Sequence, residues 1–189
     1  MDWDRDLLEL LAAHRTDGVD AVAKGLMDAG QPAATYVAAA VAALVFAWVY
    51  GAWRAVAAAM LGSVVATGIA EFAKEFIGRP RPPASLALVP ADGFAMPSSI
   101  AALTAGAATP LLLWGLRSGR RSAQVIVVLL AIGTVLVGAS MVYLGAHWLS
   151  DVLVGWVLGV AVGVAALRLL EGGPSALQRW ARSSGRTRT

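Results

Sequence analysis

GAHWLSDVLVG, residues 145–155, sets a histidine in front of an apolar run, with an aspartate four residues later. The run that follows continues to about residue 170 with almost no charge. Four further blocks of about 18–22 largely apolar residues precede it, near residues 33–50, 54–73, 98–116 and 124–143. Helices of about 20 apolar residues span a bilayer core. Together with 58% hydrophobic and 14% charged residues in a chain of 189, this pattern predicts an all-α, polytopic membrane helical bundle rather than a soluble domain.

The remaining composition narrows the chemistry. There are no cysteines, which excludes disulfide and thiolate chemistry, and two widely separated histidines, His14 and His147, do not build a zinc site by themselves. The first 32 residues lack a basic start, a continuous apolar stretch and a cleavage site, so the first span is expected to act as the insertion signal. Residues 3–28 place apolar side chains three and four apart among charges, which predicts an amphipathic outer-face segment over 1–32. His14 lies in it and reads as a solvated surface histidine.

Charge placement predicts orientation. Arg54, Arg117, Arg120, Arg121, Arg168, Arg179, Arg182, Arg186 and Arg188 fall on one side of a five-span arrangement, opposed by Glu171. The positive-inside rule makes that side cytoplasmic and places the N-terminus outside. Residues 33–171 then form the transmembrane domain, and 172–189, ending RWARSSGRTRT, a disordered basic cytoplasmic tail that touches anionic headgroups. No basic face interleaved with aromatics supports nucleic-acid binding. Trp48, Trp53, Trp114 and Trp148 lie near span ends and read as interfacial anchors, and the abundant Ala and Gly predict close helix packing.

The five-span order gathers polar groups at one membrane depth on the outer side. Lys74 ends the second span; Arg79 and Arg81 lie in the proline-rich stretch 77–97; Ser98 and Ser99 open the third span; Ser140 ends the fourth; His147 and Asp151 lead into the fifth. Cations beside a helix N-terminus capped by Ser98 describe an anion site, because free amides and the helix dipole favour phosphate. His147 and Asp151 share a helical face, and an aspartate bonded to one ring nitrogen makes the other a better nucleophile or base. Alone the pair reads equally well as a helix-start structural feature; beside three cations, catalysis is favoured.

KEFIGRPRP (74–82), MPSSI (96–100) and SMVYLGAHWLSD (140–151) together resemble the type 2 phosphatidic acid phosphatase (PAP2) superfamily of membrane lipid phosphatases, whose pattern is KxxxxxxRP, PSGH and SRxxxxxHxxxD. The resemblance implies that His147 forms a phosphohistidine, that Asp151 orients it, and that Lys74, Arg81 and Ser98, with Ser99, hold phosphate; Arg79 and Ser140 are additional candidates. It implies a metal-independent hydrolase without cofactor, acting on a lipid phosphate or diphosphate. Three positions depart: Ser99 replaces glycine, Ile100 stands where the family has the histidine that protonates the leaving group, and Met141 stands where it has a phosphate-binding arginine. A general acid is worth about 10²–10⁴ in rate and an oxyanion donor about 10²–10³. The substitute acids that the sequence offers are His14, Glu71, Glu75 and Asp92.

Two functions therefore compete. The first is a lipid phosphatase that favours diphosphates, whose leaving group needs no proton. The second is a catalytically degenerate relative that binds lipid phosphate headgroups or supports another envelope-lipid enzyme, with protein partners unspecified. A transporter ranks last, since the spans carry few midplane charges. The high Ala, Gly and Arg content points to a GC-rich bacterial genome.

Overall fold

The computed structural model describes residues 2–29 and 33–172, and among these every regular element is a helix. The order is α1 (Asp2–Ala13), α2 (Asp17–Ala29), α3 (Ala33–Tyr50), α4 (Trp53–Ile77), α5 (Ser99–Arg117), α6 (Arg121–Tyr143) and α7 (Leu149–Glu171). Helices α3 to α7 are each long and apolar enough to cross a bilayer, and each overlaps one expected block. The greatest boundary difference is at α4, which runs through Lys74 to Ile77 before Gly78 ends it in a left-handed conformation, φ 60°, with its amide bonded to the Lys74 carbonyl at 2.9 Å. The basic tail predicted over 172–189 lies outside the described residues except for Gly172.

The packing core is made by α4, α5 and α7. Their contact is a seam of small residues: Gly155, Gly159 and Gly163 on α7 face Ser98, Ala102 and Gly106 on α5, and Gly106 in turn faces Gly62 on α4. A Cβ at Gly159 would stand 2.4 Å from the Ala102 carbonyl oxygen, and one at Gly62 2.6 Å from that of Gly106. Only bare backbone permits this approach, and in lipid, where burying apolar surface gives helices little reason to associate, close packing is what joins them. Large apolar side chains point outward instead, among them Val41, Leu44, Val64, Phe72, Leu129 and Val135. These exposed aliphatic faces on helices of spanning length define a multi-pass membrane protein.

Aromatic placement follows two rules. Trp48 and Trp53 are exposed near span ends, whereas Trp114 meets Phe46 and Tyr50 edge-on at centroid distances of 5.6 and 6.4 Å and packs the core cluster at that end. Arg117 and Glu171 pair at 3.5 Å at this same end.

The opposite end carries α1, α2, residues 78–98 and the α6–α7 turn. The N-terminal pair folds onto α6 there: Leu8 is buried, and Leu11 and Met27 pack against a cluster containing Met141, Val142 and Ala146. Arg15 donates to the carbonyls of Leu86 and Tyr143 at 2.8 and 2.7 Å, and the Leu88 amide donates to the Leu144 carbonyl at 2.8 Å. The amphipathic segment thus spends part of its apolar face on the bundle.

Candidate active site

His147 lies in the short turn between α6 and α7. Gly145 makes the turn, with φ 74°, and a Cβ there would stand 2.6 Å from the Leu86 carbonyl oxygen, so glycine is required by both conformation and space. The Ala146 and His147 amides return to the Met141 carbonyl at 3.0 and 3.3 Å, and α7 starts at Leu149 with Asp151 in its first turn. The start of α5 is fastened beside it, because the Ser98 amide donates to the Asp151 carbonyl at 3.0 Å.

Arg79 and Arg81 arrive on the segment after α4. Pro80 and Pro82 hold this stretch non-helical, and in extended chain residues two apart share a side only when the strand is regular. Here the two guanidiniums diverge. Arg81 reaches His147, its Nη1 lying 3.2 Å from Nε2, and is itself braced by donation to the carbonyls of Ala146 at 2.7 Å and Asp92 at 2.8 Å. Arg79 goes to Asp151, donating from Nη1 to Oδ1 at 2.6 Å, and its plane lies over the Trp148 ring at 5.5 Å.

These contacts determine the imidazole tautomer. Arginine only donates, so Nε2 must accept, and the proton of a neutral ring therefore sits on Nδ1. Nδ1 lies 3.5 Å from Asp151 Oδ2, near its carboxylate yet without a formed hydrogen bond among the described residues. Asp151 Oδ2 instead accepts from the Trp148 amide at 2.9 Å. Burial pushes the His147 pKa below the ordinary histidine value; Asp151 partly offsets this, while Arg81 and Lys74 add to it. The ring is therefore neutral at pH 7, with its Nε2 lone pair directed at a guanidinium.

Lys74 is buried and donates to Glu71 Oε1 at 2.9 Å and to Ser99 Oγ at 3.0 Å. Lys74, Ser99, Arg81, His147, Asp151 and Arg79 thus gather at one end of the bundle, as the motif order predicts. Two serines are turned away. Ser98 is fully buried, with its hydroxyl capping α5 by accepting from the Ala101 amide at 3.4 Å and lying 3.9 Å from Met141 Sδ; Ser140 donates to the Val137 carbonyl at 2.8 Å. His14 is exposed and bonds the Leu10 carbonyl at 2.9 Å. Ile100 is 44% exposed and Met141 only 1% exposed, so the two departures from the pattern sit in different surroundings.

One participant is absent from the sequence reading. Asp4 of α1 is buried; its Oδ2 accepts from Arg79 Nη2 at 2.8 Å and from the Ser150 hydroxyl, and its Oδ1 accepts from the Ser150 amide at 3.0 Å. Burial alone would raise its pKa, but the bonds from Ser150 and Arg79 outweigh this and hold it below the usual carboxylate range. Asp4 and Ser150 lie 146 positions apart, and no local periodicity marks such a contact.

The PAP2 superfamily model matches residues 52–172, well over half of the chain. The chain belongs to the PAP2 superfamily. Lys74, Arg81, His147 and Asp151 all lie inside the matched segment of this PAP2 chain, and Asp4 lies outside it. Two solved structures share its fold. The first transmembrane PAP2-type phosphatidylglycerolphosphate phosphatase from Bacillus subtilis is 22% identical with a TM-score of 0.68, over 93% of this chain and 88% of the other. Aquifex aeolicus LpxE is 21% identical with a TM-score of 0.64, over 86% of this chain and 93% of the other. No curated protein matches the chain.

Proposed function

We propose that this PAP2 chain is a membrane phosphatase that hydrolyses a lipid-linked phosphate or diphosphate through a phosphohistidine on His147. The observation that carries the reading is the buried His147, with Nε2 beside the Arg81 guanidinium and Nδ1 toward Asp151. The phosphatidylglycerolphosphate phosphatase named above gives lipid phosphate as the substrate class, and family membership agrees.

In the first step the Nε2 lone pair attacks phosphorus, an N–P bond forms, and the bond from phosphorus to the leaving oxygen breaks with its electron pair on that oxygen. Lys74, Arg81 and the Ser99 side hold the phosphoryl oxygens, and Asp151 balances the imidazolium charge as the ring becomes cationic. Water then attacks phosphorus, the N–P bond breaks, and inorganic phosphate leaves with neutral His147 restored. With Ile100 in place of an acid, the first step favours a leaving group that needs no proton. A diphosphate releases a phosphate monoester, whose second pKa is about 6, whereas a monoester must release a strongly basic alkoxide. Polyprenyl diphosphates are the substrates of this type.

Membrane orientation follows the arginine distribution: the site end and α1 face outward, and the described end bearing Arg117 and Glu171 faces the cytoplasm. Residues 1–32 form an outer-face segment, 33–171 the transmembrane domain and 172–189 a cytoplasmic tail.

A second reading, a degenerate relative that binds lipid phosphate headgroups or assists another envelope-lipid enzyme, is favoured by the departures at Ile100 and Met141. Phosphate release from a panel of lipid mono- and diphosphates by purified protein and by His147→Ala separates the two. Release by the parent alone, fastest on diphosphate, with a trapped phosphohistidine, is the expected result. Background release by both proteins removes the enzyme and leaves the binding protein. Faster release from a monophosphate than from its matched diphosphate overturns the substrate preference.

A further inference from the structure

We propose that Asp4, on the N-terminal helix α1, is a positioning residue of the active site, which holds the start of α7 and the Arg79 guanidinium so that Asp151 and His147 keep their relation. This inference deepens the phosphatase reading and rests on it for its activity arm only.

The geometry supports the role in three ways. First, α7 begins without a side-chain cap from its own Trp148, an indole that only donates. Its early amides are satisfied by two carboxylates: the Trp148 amide by Asp151 at 2.9 Å and the Ser150 amide by Asp4 at 3.0 Å. Asp4 therefore acts as an N-cap brought from the opposite end of the chain, at the turn that follows His147. Second, Arg79 is shared. Its Nη2 is 2.8 Å from Asp4 and its Nη1 2.6 Å from Asp151, so Asp4 restrains the guanidinium that occupies Asp151. Third, both carboxylates are shielded from water: the side chains of Asp4 and Asp151 are 1% and 0% exposed, and that of Arg79 is 17% exposed. Charge pairs hold geometry most firmly where solvent competes least.

The family-matched segment begins at residue 52, so the carboxylate enters the site from a part of the chain that the family pattern does not include. Helix α1 is also clamped by Leu8, which is buried, and by Leu11 against the Met141 cluster. Two anchors, one ionic and one apolar, fix it across the site.

The test uses full-length protein in detergent micelles, comparing the parent with Asp4→Asn, which keeps the shape and an acceptor but removes the charge, and with Asp4→Glu as the conservative variant. The lipid diphosphate assay reads kcat and KM. Misplacing reacting groups by about 1 Å costs on the order of 10²-fold, so kcat falls by about 10- to 100-fold in Asp4→Asn while KM changes little, and Asp4→Glu recovers part of the loss.

The second readout needs no activity. The chain has two histidines, so imidazole NMR with His14→Gln as the assignment control follows His147 directly. The charged groups around His147 are Arg81, Lys74 and Asp151, and Asp4 reaches it through Arg79 and Asp151. Loss of the Asp4 charge leaves Asp151 the one carboxylate paired with Arg79 among the described residues, and the His147 titration moves to lower pH. An unmoved titration in a folded, monodisperse Asp4→Asn protein overturns the proposal, whether or not kcat falls, and so does a rise in kcat, which would make α1 an inhibitory latch. If the parent proves inactive on every lipid, the phosphatase reading fails and the titration alone decides the role of Asp4.

Discussion

Gly155→Ala tests how directly the packing of the bundle controls its site. Gly155 lies one turn beyond Asp151 on α7, and a Cβ there would stand 2.5 Å from the Ser98 carbonyl oxygen and 2.9 Å from the Ala101 Cβ. Ordinary contact begins near 3.4 Å, so the first residues of α5 must retreat by about 0.9 Å. The same Ser98 donates its amide to the Asp151 carbonyl at 3.0 Å, and a retreat of that size takes the bond past useful length. Overpacking costs about 1–3 kcal/mol and the lost hydrogen bond about 1 kcal/mol, for a total loss of roughly 2–4 kcal/mol. Because the displaced segment carries Ser99, the partner of Lys74, activity falls on the order of 10²-fold as well. Thermal unfolding in detergent and lipid phosphate release measure the two effects. Gly133→Ala is the internal control, since a Cβ there meets nothing within 4 Å, and the helix gains up to about 1 kcal/mol from alanine. If Gly155→Ala matches Gly133→Ala in both assays, the seam does not set the site.

Ile100→His adds a ring at a position 44% exposed; it raises release from lipid monophosphates by about 10²–10⁴ and from diphosphates much less, and an equal gain on both substrates contradicts the leaving-group argument. Met141→Arg, by contrast, places a charge in a site only 1% exposed and lined by Ala101, Val142, Ala146 and Val152. An uncompensated buried charge costs about 3–5 kcal/mol, so denaturation in detergent shows a large loss of stability rather than a restored enzyme. The pH profile follows from His147: its folded pKa lies below the unfolded value of 6.5, and in the proposed mechanism its neutral form is the nucleophile. Hence kcat/KM stays level down to about pH 6.5 and falls only below it. Over the same window the His147 contribution to stability, complete above 6.5, is lost as pH falls toward the folded value. An acid limb centred above 6.5 contradicts a buried neutral ring.

The spans were legible because lipid imposes one requirement on every turn of a helix, and α3 to α7 meet it by composition alone. The His147–Asp151 spacing and the order of the three blocks were legible for a related reason: each is local, or set by the simple alternation of spans. The partners of those residues were not. Arg79 and Arg81 look alike in RPRP, and only the path of the chain after Gly78 sends one to Asp151 and the other to His147. Ser98 was correctly read as a cap, yet its buried hydroxyl turns its proton toward Met141 Sδ rather than into the site. Asp4 had no signal, since it is one of several acids on an amphipathic helix and its value comes from contact with a turn at the far end of the chain.

Charge accounting at the site end connects these particulars. Three cations enter it, Lys74, Arg79 and Arg81, but Arg79 is committed on both its terminal nitrogens to Asp4 and Asp151. Moving it toward a phosphate would strand two buried carboxylates, at a cost of several kcal/mol. Lys74 and Arg81 are therefore the cations free to meet a substrate, the first shared with the half-exposed Glu71 side chain and the second resting against His147. Position 79 thus does not replace the arginine missing at 141. It supplies a guanidinium to the aspartate, and in the proposed phosphatase the phosphoryl group is left to Lys74, Arg81 and the amides at the α5 N-terminus. A site with fewer cations and no acid stabilises less developing charge, and the chemistry it can still drive is that in which the leaving group carries its own charge easily. In the proposed phosphatase, Ile100 therefore weakens reaction of a monoester more than that of a diphosphate.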